Sequence, residues 1–427
     1  MRSPPISADE QVRERWCWFT SFGRLYKLKS VLRSPRLASI VVVADDRYIE
    51  KALRKLVVLL QAAGAAIADG LVIRCVAGDL SIEAPMVRRG TMLIRMPEHC
   101  LIPLKAFKLA LVNDEIVISS AQCGLNKATV AITEAMFEVY NLSRKMAQHC
   151  SKSPWSLIAS HLDLLSYITP PSRDDFPFSA RDLRSGDKAK VMLASFLHSR
   201  LFTHQPNEQT RPRPVLVPVT DFLNHHWTGA PYSYDRYRAV VMRRSAPLPG
   251  NGDECFASYG LHDAYDTWIS YGFVDEDVPF AQSLFTTVDL PRTGKIRLGL
   301  MTPETNGMVV SVRDLRTYIP PILSRKGKCL NIGAVLIPGP QAPRALRRAL
   351  KLLIGELGAP RNRHRDLVIA AEEQIIDANL MYYAELKSLL KRLTVDTEVH
   401  RAIRASFVRL CEQQIARVRN YIGYAEY

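Results

Sequence analysis

Two short segments near the middle of the chain hold the side chains best suited to chemistry. Residues 221–225 read Asp-Phe-Leu-Asn-His, so an apolar run ends on an amide and an imidazole. Residues 256–260 read Phe-Ala-Ser-Tyr-Gly and residues 270–274 read Ser-Tyr-Gly-Phe-Val, which gives two tyrosines that each precede a glycine. Amide, imidazole and phenol groups form hydrogen bonds and aromatic rings provide apolar walls, so these segments predict a site that binds and orients a ligand.

Each of these residues also has a plain structural explanation. Tyr259 suits the packed face of a strand, and Asn224 suits a turn without any ligand. Arg200, at the end of a predicted helix, suits the negative end of the helix dipole. The order of the segments, rather than any single residue, favours a functional site.

The histidines raise the question of a metal site. His225 and His226 are adjacent, and adjacent side chains in a strand point to opposite faces, so they rarely bind one ion together. The chain has no His-Glu-x-x-His motif, and its eight cysteines include no Cys-x-x-Cys pair. The sequence therefore predicts no metal site. A Ser-His-Asp hydrolase is also disfavoured, because no Gly-x-Ser-x-Gly segment occurs.

Length and charge limit the class of protein. The chain has 427 residues, 47% of them hydrophobic, and a formal net charge of +15. This length predicts two or three domains, and the charge favours acidic partners. An acidic protein surface fits best; nucleic acid stays an alternative, although the basic residues are dispersed. The apolar run Leu37–Ala44 is too short to span a bilayer, which predicts no membrane. Scattered cysteines suit free thiols in the cytoplasm, with a nuclear or organellar location left open.

Apolar periodicity predicts the elements that must position the two segments. A helix is expected over 49–63, and short strands are expected near 71–73 and 92–94. The chain then reads as mostly helical from about 104 to 200, and residues 215–275 return to short strands and turns. Three apolar stripes predict helices near the C-terminus. Neither β segment can bury a core alone, so the two are expected to join into one domain.

This order, together with the motifs, resembles SET-domain protein-lysine methyltransferases of the Rubisco large-subunit methyltransferase type. In that family a helical insert divides the SET fold and a helical substrate-binding domain follows. The resemblance implies an α+β fold, in which a SET β-fold of short strands is interrupted by a helical insert and followed by a mostly helical C-terminal domain. It places an N-terminal extension of unassigned role at 1–65, the SET domain at 66–275 with its insert at about 104–200, and the substrate-binding domain at 285–427.

Several segments carry the resemblance, and one position departs from it. The matching segments are the strands at 70–74 and 89–97, a Ser-Arg at 199–200, the Asp-x-x-Asn-His at 221–225, a Gly-Asp-Glu strand with its Tyr-Gly turn at 252–260, and the segments 263–266 and 271–275 that complete the block. The family usually carries Gly-x-Gly near its first strands. Here the first glycine aligns with Gly78, and the second position is Leu80.

The resemblance implies direct in-line methyl transfer from S-adenosylmethionine to a lysine amine, with no metal. It makes Tyr259 the catalytic residue, which orients the amine beside the methyl group. The residues that it assigns to cofactor binding are Gly78, Arg200, Asn224, His225, Tyr271 and Phe273. Among these, Arg200 would meet the cofactor carboxylate, Asn224 its amino-acid part, and His225 would act mainly through its backbone.

The reaction needs a neutral amine, although free lysine has a pKa of about 10.4. A narrow, dry channel beside a sulfonium charge disfavours the ammonium form. The expected partner is a protein that carries a target lysine, with an acidic surface favoured by the net charge. The alternative from another class is a catalytically inactive SET-fold scaffold, in which Leu80 blocks the cofactor pocket and the protein binds an acidic protein or nucleic acid.

Overall fold

The computed structural model describes residues 16–17, 39–168, 186–205, 207, 209–248, 250–299 and 315–425. Its helices are α1 (Arg47–Ala62), α2 (Lys127–Leu142), α3 (Lys145–Lys152), α4 (Pro154–Ile158), α5 (Leu165–Ile168), α6 (Lys188–His198), α7 (Ala264–Tyr271), α8 (Ala345–Glu356), α9 (His364–Arg392) and α10 (Glu398–Ala425).

The strands are short and occur in two groups separated by the helices α2 to α6. They are β1 (Trp16–Cys17), β2 (Val41–Ala44), β3 (Ala66–Ile67), β4 (Val72–Val76), β5 (Asp79–Glu83), β6 (Met92–Met96), β7 (Phe107–Val112), β8 (Glu115–Gln122), β9 (Phe202–His204), β10 (Arg213–Val215), β11 (Asn224–Ala230), β12 (Ser233–Tyr234), β13 (Val240–Arg243), β14 (Phe256–Ala257), β15 (Phe280–Gln282), β16 (Thr286–Leu290), β17 (Gly294–Leu298), β18 (Ile322–Lys326), β19 (Cys329–Ile332) and β20 (Leu336–Pro338).

The helix α1 belongs to the core of the first β group. Its apolar stripe buries Leu53, Leu56 and Leu60 completely, and β2 pairs in parallel with β4. Residues 39–65 therefore share a core with the first β group, because a strand and an amphipathic helix that pack together fold together. The boundary at residue 65 stays a prediction. The earlier part of the predicted extension lies outside the described residues, apart from β1, which pairs with β8.

A β-hairpin occupies the start of the predicted helical insert. Strands β7 and β8 pair antiparallel, with Val112 opposite Glu115. The two turn residues, Asn113 and Asp114, both have positive φ, at 50° and 62°. This is the two-residue hairpin geometry that matches the twist of paired strands, and Asn and Asp tolerate it well. The helical prediction from about 104 is thus wrong up to residue 122, and helix begins at Lys127.

The two β groups join into a single unit. Strand β13 of the second group pairs antiparallel with β6 of the first, in a sheet of order β12-β13-β6-β3. Backbone bonds from Cys255 N–H to the Ile82 carbonyl (2.8 Å) and from Ala84 N–H to the Asp253 carbonyl (3.0 Å) add a second link. The helices are tied to this unit as well, because the Trp155 indole N–H donates to the Ile269 carbonyl at 2.9 Å.

Among its described residues, the C-terminal part combines a four-stranded sheet with three helices, and β20 pairs separately with β15. Strands β16, β17, β19 and β18 form the sheet in that order, and its buried face packs on α8 and α9. Helix α10 returns to the first unit, where Phe407 lies against Trp268 with ring centroids 3.9 Å apart. The predicted α+β class, with a mostly helical C-terminal part, is confirmed. The finer domain limits stay predictions.

The cysteines only partly follow the prediction of free thiols. Six of them, Cys75, Cys100, Cys150, Cys255, Cys329 and Cys411, are free, whereas Cys123 is in a disulfide. The spacing of cysteines along the chain does not reveal a tertiary contact of this kind. No helix in the described part of the chain has the length and apolar composition needed to cross a membrane.

Candidate active site

Tyr259 is bonded through its backbone and through its hydroxyl to the Leu-Asn-His segment at 223–225. Strand β11 pairs in parallel with β14, which places His225 opposite Ala257, two residues before Tyr259. The Tyr259 N–H donates to His225 Nδ1 at 3.2 Å, and its hydroxyl donates to the Leu223 carbonyl at 2.7 Å. The two segments that the sequence singled out therefore meet at this tyrosine.

Tyr259 belongs to a cluster of four aromatic rings. Its ring centroid lies 4.8 Å from that of His225 and 4.9 Å from that of Tyr271. Phe273 completes the group, at 5.8 Å from His225 and 6.0 Å from Tyr271. Phe273 is 37% exposed, so the ring cluster opens to solvent on that side. The arrangement forms an aromatic wall suited to an apolar chain or to a cationic group.

Helix α7 positions Tyr271 and Phe273. It begins at a capping box, in which the Asp263 carboxylate accepts the Asp266 N–H at 2.9 Å. It ends at Gly272, whose φ of +82° is the left-handed conformation that stops helices. Tyr271 is therefore the last helical residue, and the chain turns sharply before Phe273. The hydroxyl of Tyr271 lies 3.4 Å from His262 Nε2.

The Asp263 carboxylate also fixes the C-terminal part of the chain. One oxygen accepts the Gln282 backbone N–H and the Gln414 side-chain amide, both at 2.8 Å. Asp263 is 1% exposed. Burial, and then the nearby Asp266, raise the pKa of Asp263. One buried side chain thus joins α7, β15 and α10.

The two cluster tyrosines stay protonated at ordinary pH. Burial, with a smaller effect of Asp221, raises the pKa of Tyr259 well above its usual range. Burial likewise raises the pKa of Tyr271, with Asp266 as the smaller cause. A phenol of this kind donates its proton in a hydrogen bond and accepts others on its lone pairs, but it does not act as a base.

His225 contributes its side chain as well as its backbone. The imidazole is completely buried, and its Nε2 lies 3.3 Å from Asp275 Oδ2. Burial alone would raise the pKa of Asp275, but His225, together with the Asp277 N–H and His226, outweighs burial, so that pKa is lowered. The sequence predicts a role for the backbone of His225 and none for Asp275, although Asp275 closes the second Tyr-Gly segment.

Arg200 lies beside the site, but it already has a partner. Its guanidinium donates to Asp221 Oδ2 at 2.8 Å and lies over the rings of Phe196 and Tyr140. The Tyr140 hydroxyl donates to the same carboxylate oxygen at 2.6 Å. Burial raises the pKa of Asp221 despite this neighbour. At Arg200 burial lowers the pKa, but Asp221 together with Tyr140 and Tyr259 outweighs burial, so the pKa of Arg200 is raised. A guanidinium keeps its proton throughout the ordinary pH range, so Arg200 and Asp221 form an ion pair.

Asn224 and Gly78 lie away from the ring cluster in this structure. The Asn224 amide is exposed and donates to Glu254 Oε1 at 2.6 Å. The Asn224 side chain points away from that of His225, because successive residues of a strand face opposite sides of the sheet. Gly78, with φ +78°, turns the hairpin between β4 and β5, and a Cβ there would lie 2.5 Å from the Ser143 carbonyl oxygen. Their assignment to cofactor binding stays a prediction.

Comparison with known proteins gives distant structural matches. A structure titled as the SET domain of LSMT bound to lysine and AdoHcy aligns with 13% identity over 88% of this chain and 91% of its own, at a TM-score of 0.36. A structure of Rubisco LSMT bound to AdoMet aligns at 14% identity with the same coverage and TM-score. A third, of Rubisco LSMT bound to sinefungin and monomethyllysine, has a TM-score of 0.34 at 14% identity, over 87% of this chain and 91% of its own.

No family model matches the sequence. No curated protein matches it either. TM-scores this low do not support a functional assignment, so the function proposed below depends on the residues of this chain. Across the described residues, no three His, Cys, Asp or Glu side chains lie in an arrangement that could hold a metal ion.

Proposed function

We propose that this chain is an S-adenosylmethionine-dependent protein-lysine N-methyltransferase. The observation that carries the proposal is the setting of Tyr259. Its hydroxyl donates to the Leu223 carbonyl, so the hydrogen is fixed and the oxygen lone pairs stay available. Its ring forms a wall with Tyr271 and His225. A hydroxyl oxygen in such a wall can accept a hydrogen bond from an amine and so direct the nitrogen lone pair.

S-adenosylmethionine supplies, when bound, a methyl group on a positively charged sulfur. The ring cluster fits that group, because aromatic faces and hydroxyl oxygens attract an electron-poor methyl. The polar positions fit less directly. Arg200 is paired with Asp221, and Asn224 is bonded to Glu254. A carboxylate or amine ligand at either side chain would have to share or replace the present partner.

Tyr259 would orient the amine and would not remove its proton. Its pKa is raised by burial, so the phenol stays neutral where a lysine amine begins to lose its proton. The proton of the amine would pass to water before the transfer step. Alignment of the nitrogen with the methyl carbon would then supply most of the rate enhancement, since positioning alone can contribute several kcal/mol, up to about 10.

The substrate is proposed to be a protein with a target lysine, held by the part of the chain after residue 285. That part lies directly against α7, because α10 contacts Trp268 and Asp263. The net charge of +15 favours an acidic surface on the substrate. A cytoplasmic location, without a membrane, accompanies this proposal.

A second candidate function, an inactive scaffold for an acidic partner, is favoured by one observation. Both polar side chains assigned to the cofactor already have protein partners in this structure. Leu80, which replaces the second family glycine, is 4% exposed and packs in the main core. A scaffold of this kind would keep the fold without binding the cofactor.

Calorimetry with S-adenosylhomocysteine separates the two functions. The methyltransferase should bind it with a dissociation constant below about 100 μM, equivalent to roughly −5.5 kcal/mol. The absence of heat at millimolar ligand would favour the scaffold. Incubation of a proteome with the protein and labelled S-adenosylmethionine, followed by mass spectrometry, would identify the lysine. Label on no lysine, despite binding, would contradict the proposed reaction.

A further inference from the structure

We infer that His225 and Asp275 form a positioning pair, which holds the backbone of Tyr259 by fixing one tautomer of the His225 imidazole. The expected effect on kcat rests on the proposed function. The tautomer of His225 can be measured whether or not the chain catalyses a reaction. Neither side chain needs to touch a substrate for this role.

The hydrogen bond to Tyr259 determines where the imidazole proton lies. His225 Nδ1 accepts the Tyr259 N–H at 3.2 Å, and an accepting ring nitrogen carries no hydrogen. In a neutral imidazole the hydrogen must then be on Nε2. That atom lies 3.3 Å from Asp275 Oδ2 in a close charge contact that lies outside hydrogen-bond geometry, and neither of the two buried atoms has a hydrogen-bond partner among the described residues. A carboxylate at this place stabilises the Nε2–H tautomer and disfavours the one that would break the bond to Tyr259.

Asp275 is itself held in place. Its other carboxylate oxygen accepts the Asp277 N–H at 3.1 Å, and its own N–H donates to the Thr267 hydroxyl on α7 at 3.2 Å. The next residue, Glu276, accepts Arg417 of α10 on its carbonyl at 2.7 Å. Asp275 is 8% exposed, so water does not replace it freely. The carboxylate therefore has a fixed direction toward the imidazole.

The next residue of the same strand provides a matched comparison. His226 Nε2 lies 3.8 Å from Asp277 Oδ2, but the Asp277 side chain is 80% exposed. His226 Nδ1 accepts from Thr228, not from the site. The chain thus contains two adjacent His–Asp contacts, of which only the buried one connects to Tyr259. The positioning role should be limited to that pair.

The test compares Asp275→Ala, Asp275→Asn and Asp277→Ala in the full chain. Long-range ¹H–¹⁵N NMR correlations of the imidazoles should place the wild-type His225 proton on Nε2. Asp275→Ala should populate both tautomers and lower kcat about tenfold or more, while the KM for S-adenosylmethionine stays within about twofold. Asp275→Asn should recover most of kcat, because its carbonyl oxygen places a partial negative charge beside Nε2–H at the same point. Asp277→Ala should match the wild type.

Three results would overturn the inference. The first is a wild-type His225 with its proton on Nδ1, which is readable even if Asp275→Ala does not fold. The second is a kcat for Asp275→Ala equal to that of Asp277→Ala. The third is a loss of activity in Asp275→Asn equal to that in Asp275→Ala. If the wild type transfers no methyl group, the proposed function fails, and the tautomer measurement still decides the structural part.

Discussion

Replacement of Tyr259 by phenylalanine tests the central residue of the proposed reaction. The change removes one hydroxyl and keeps the ring, which lies 4.9 Å from Tyr271 and 4.8 Å from His225. It leaves the Leu223 carbonyl without its donor at 2.7 Å. Cofactor affinity should change little, since the aromatic wall stays in place.

The structural cost of this substitution is much smaller than its expected catalytic cost. Loss of one hydrogen bond of this kind lowers the free energy of unfolding by about 1 kcal/mol. Native stabilities are about 5–15 kcal/mol, so the variant stays folded. Removal of a group positioned at the reacting atoms typically costs about 3 kcal/mol of transition-state stabilisation, or roughly 100-fold in kcat. A loss of that size could not come from unfolding.

The assay measures kcat for methyl transfer from pH 7 to about pH 10, together with the affinity for S-adenosylhomocysteine. Because burial raises the pKa of Tyr259, its phenol stays protonated over this range. The wild-type rate should therefore rise as the substrate amine loses its proton, with no fall caused by Tyr259. The phenylalanine variant should give the same shape at about one hundredth of the rate.

Tyr271→Phe is the matched control. It removes a hydroxyl from the same ring cluster, where the group lies 3.4 Å from His262. A loss below about tenfold is expected, because this hydroxyl is not assigned to the amine. Equal losses in the two variants, or unchanged turnover in Tyr259→Phe, would refute the role of Tyr259.

Two further predictions concern the other assigned residues, and urea unfolding of purified variants measures both. Gly78→Ala should lower the free energy of unfolding by about 2 kcal/mol or more, because φ is +78° and the added Cβ would lie 2.5 Å from a backbone oxygen. Arg200→Met should lower it by about 3 kcal/mol, because it leaves the Asp221 carboxylate, 9% exposed, without its cation.

Each of these variants has a control elsewhere in the chain. Gly64 has φ +85° but open space around an added Cβ, so Gly64→Ala introduces backbone strain without a steric clash. It should lower the free energy of unfolding by about 1 kcal/mol. Lys55 and Glu138 form an ion pair at 2.6 Å in which both side chains are exposed. Lys55→Met should therefore lower the free energy of unfolding by less than about 1 kcal/mol. If either test variant cost no more than its control, the packing described for that residue would be wrong.

The sequence predicted which segments meet, but not how their side chains are directed. The Asn-His corner and the two Tyr-Gly turns could be found because motif order reports neighbouring backbone. The directions of the Asn224 and His225 side chains could not be predicted, since they depend on which face of β11 is buried. The pairing of Arg200 with Asp221 was likewise hidden, because contacts between distant residues are set by packing.

The features that the sequence does not predict, the β7–β8 hairpin and the core position of residues 39–65, have a similar physical origin. A helical prediction misses the hairpin after residue 106 because the residues of its two strands do not alternate strictly between apolar and polar types. Positive φ values at Asn113 and Asp114 decide the turn, and an Asn-Asp pair also occurs in helical and loop segments. The apolar residues of 39–65 complete the core, a contribution that the motifs do not reveal.

The carboxylate of Asp263 limits how this protein could be recombined. It accepts hydrogens from the start of α7, from β15 and from Gln414 in the last helix. A C-terminal part borrowed from another protein would have to provide an amide at the same point, or a buried anion would lose a donor. The two halves are therefore expected to have diversified together rather than to have been exchanged as separate modules.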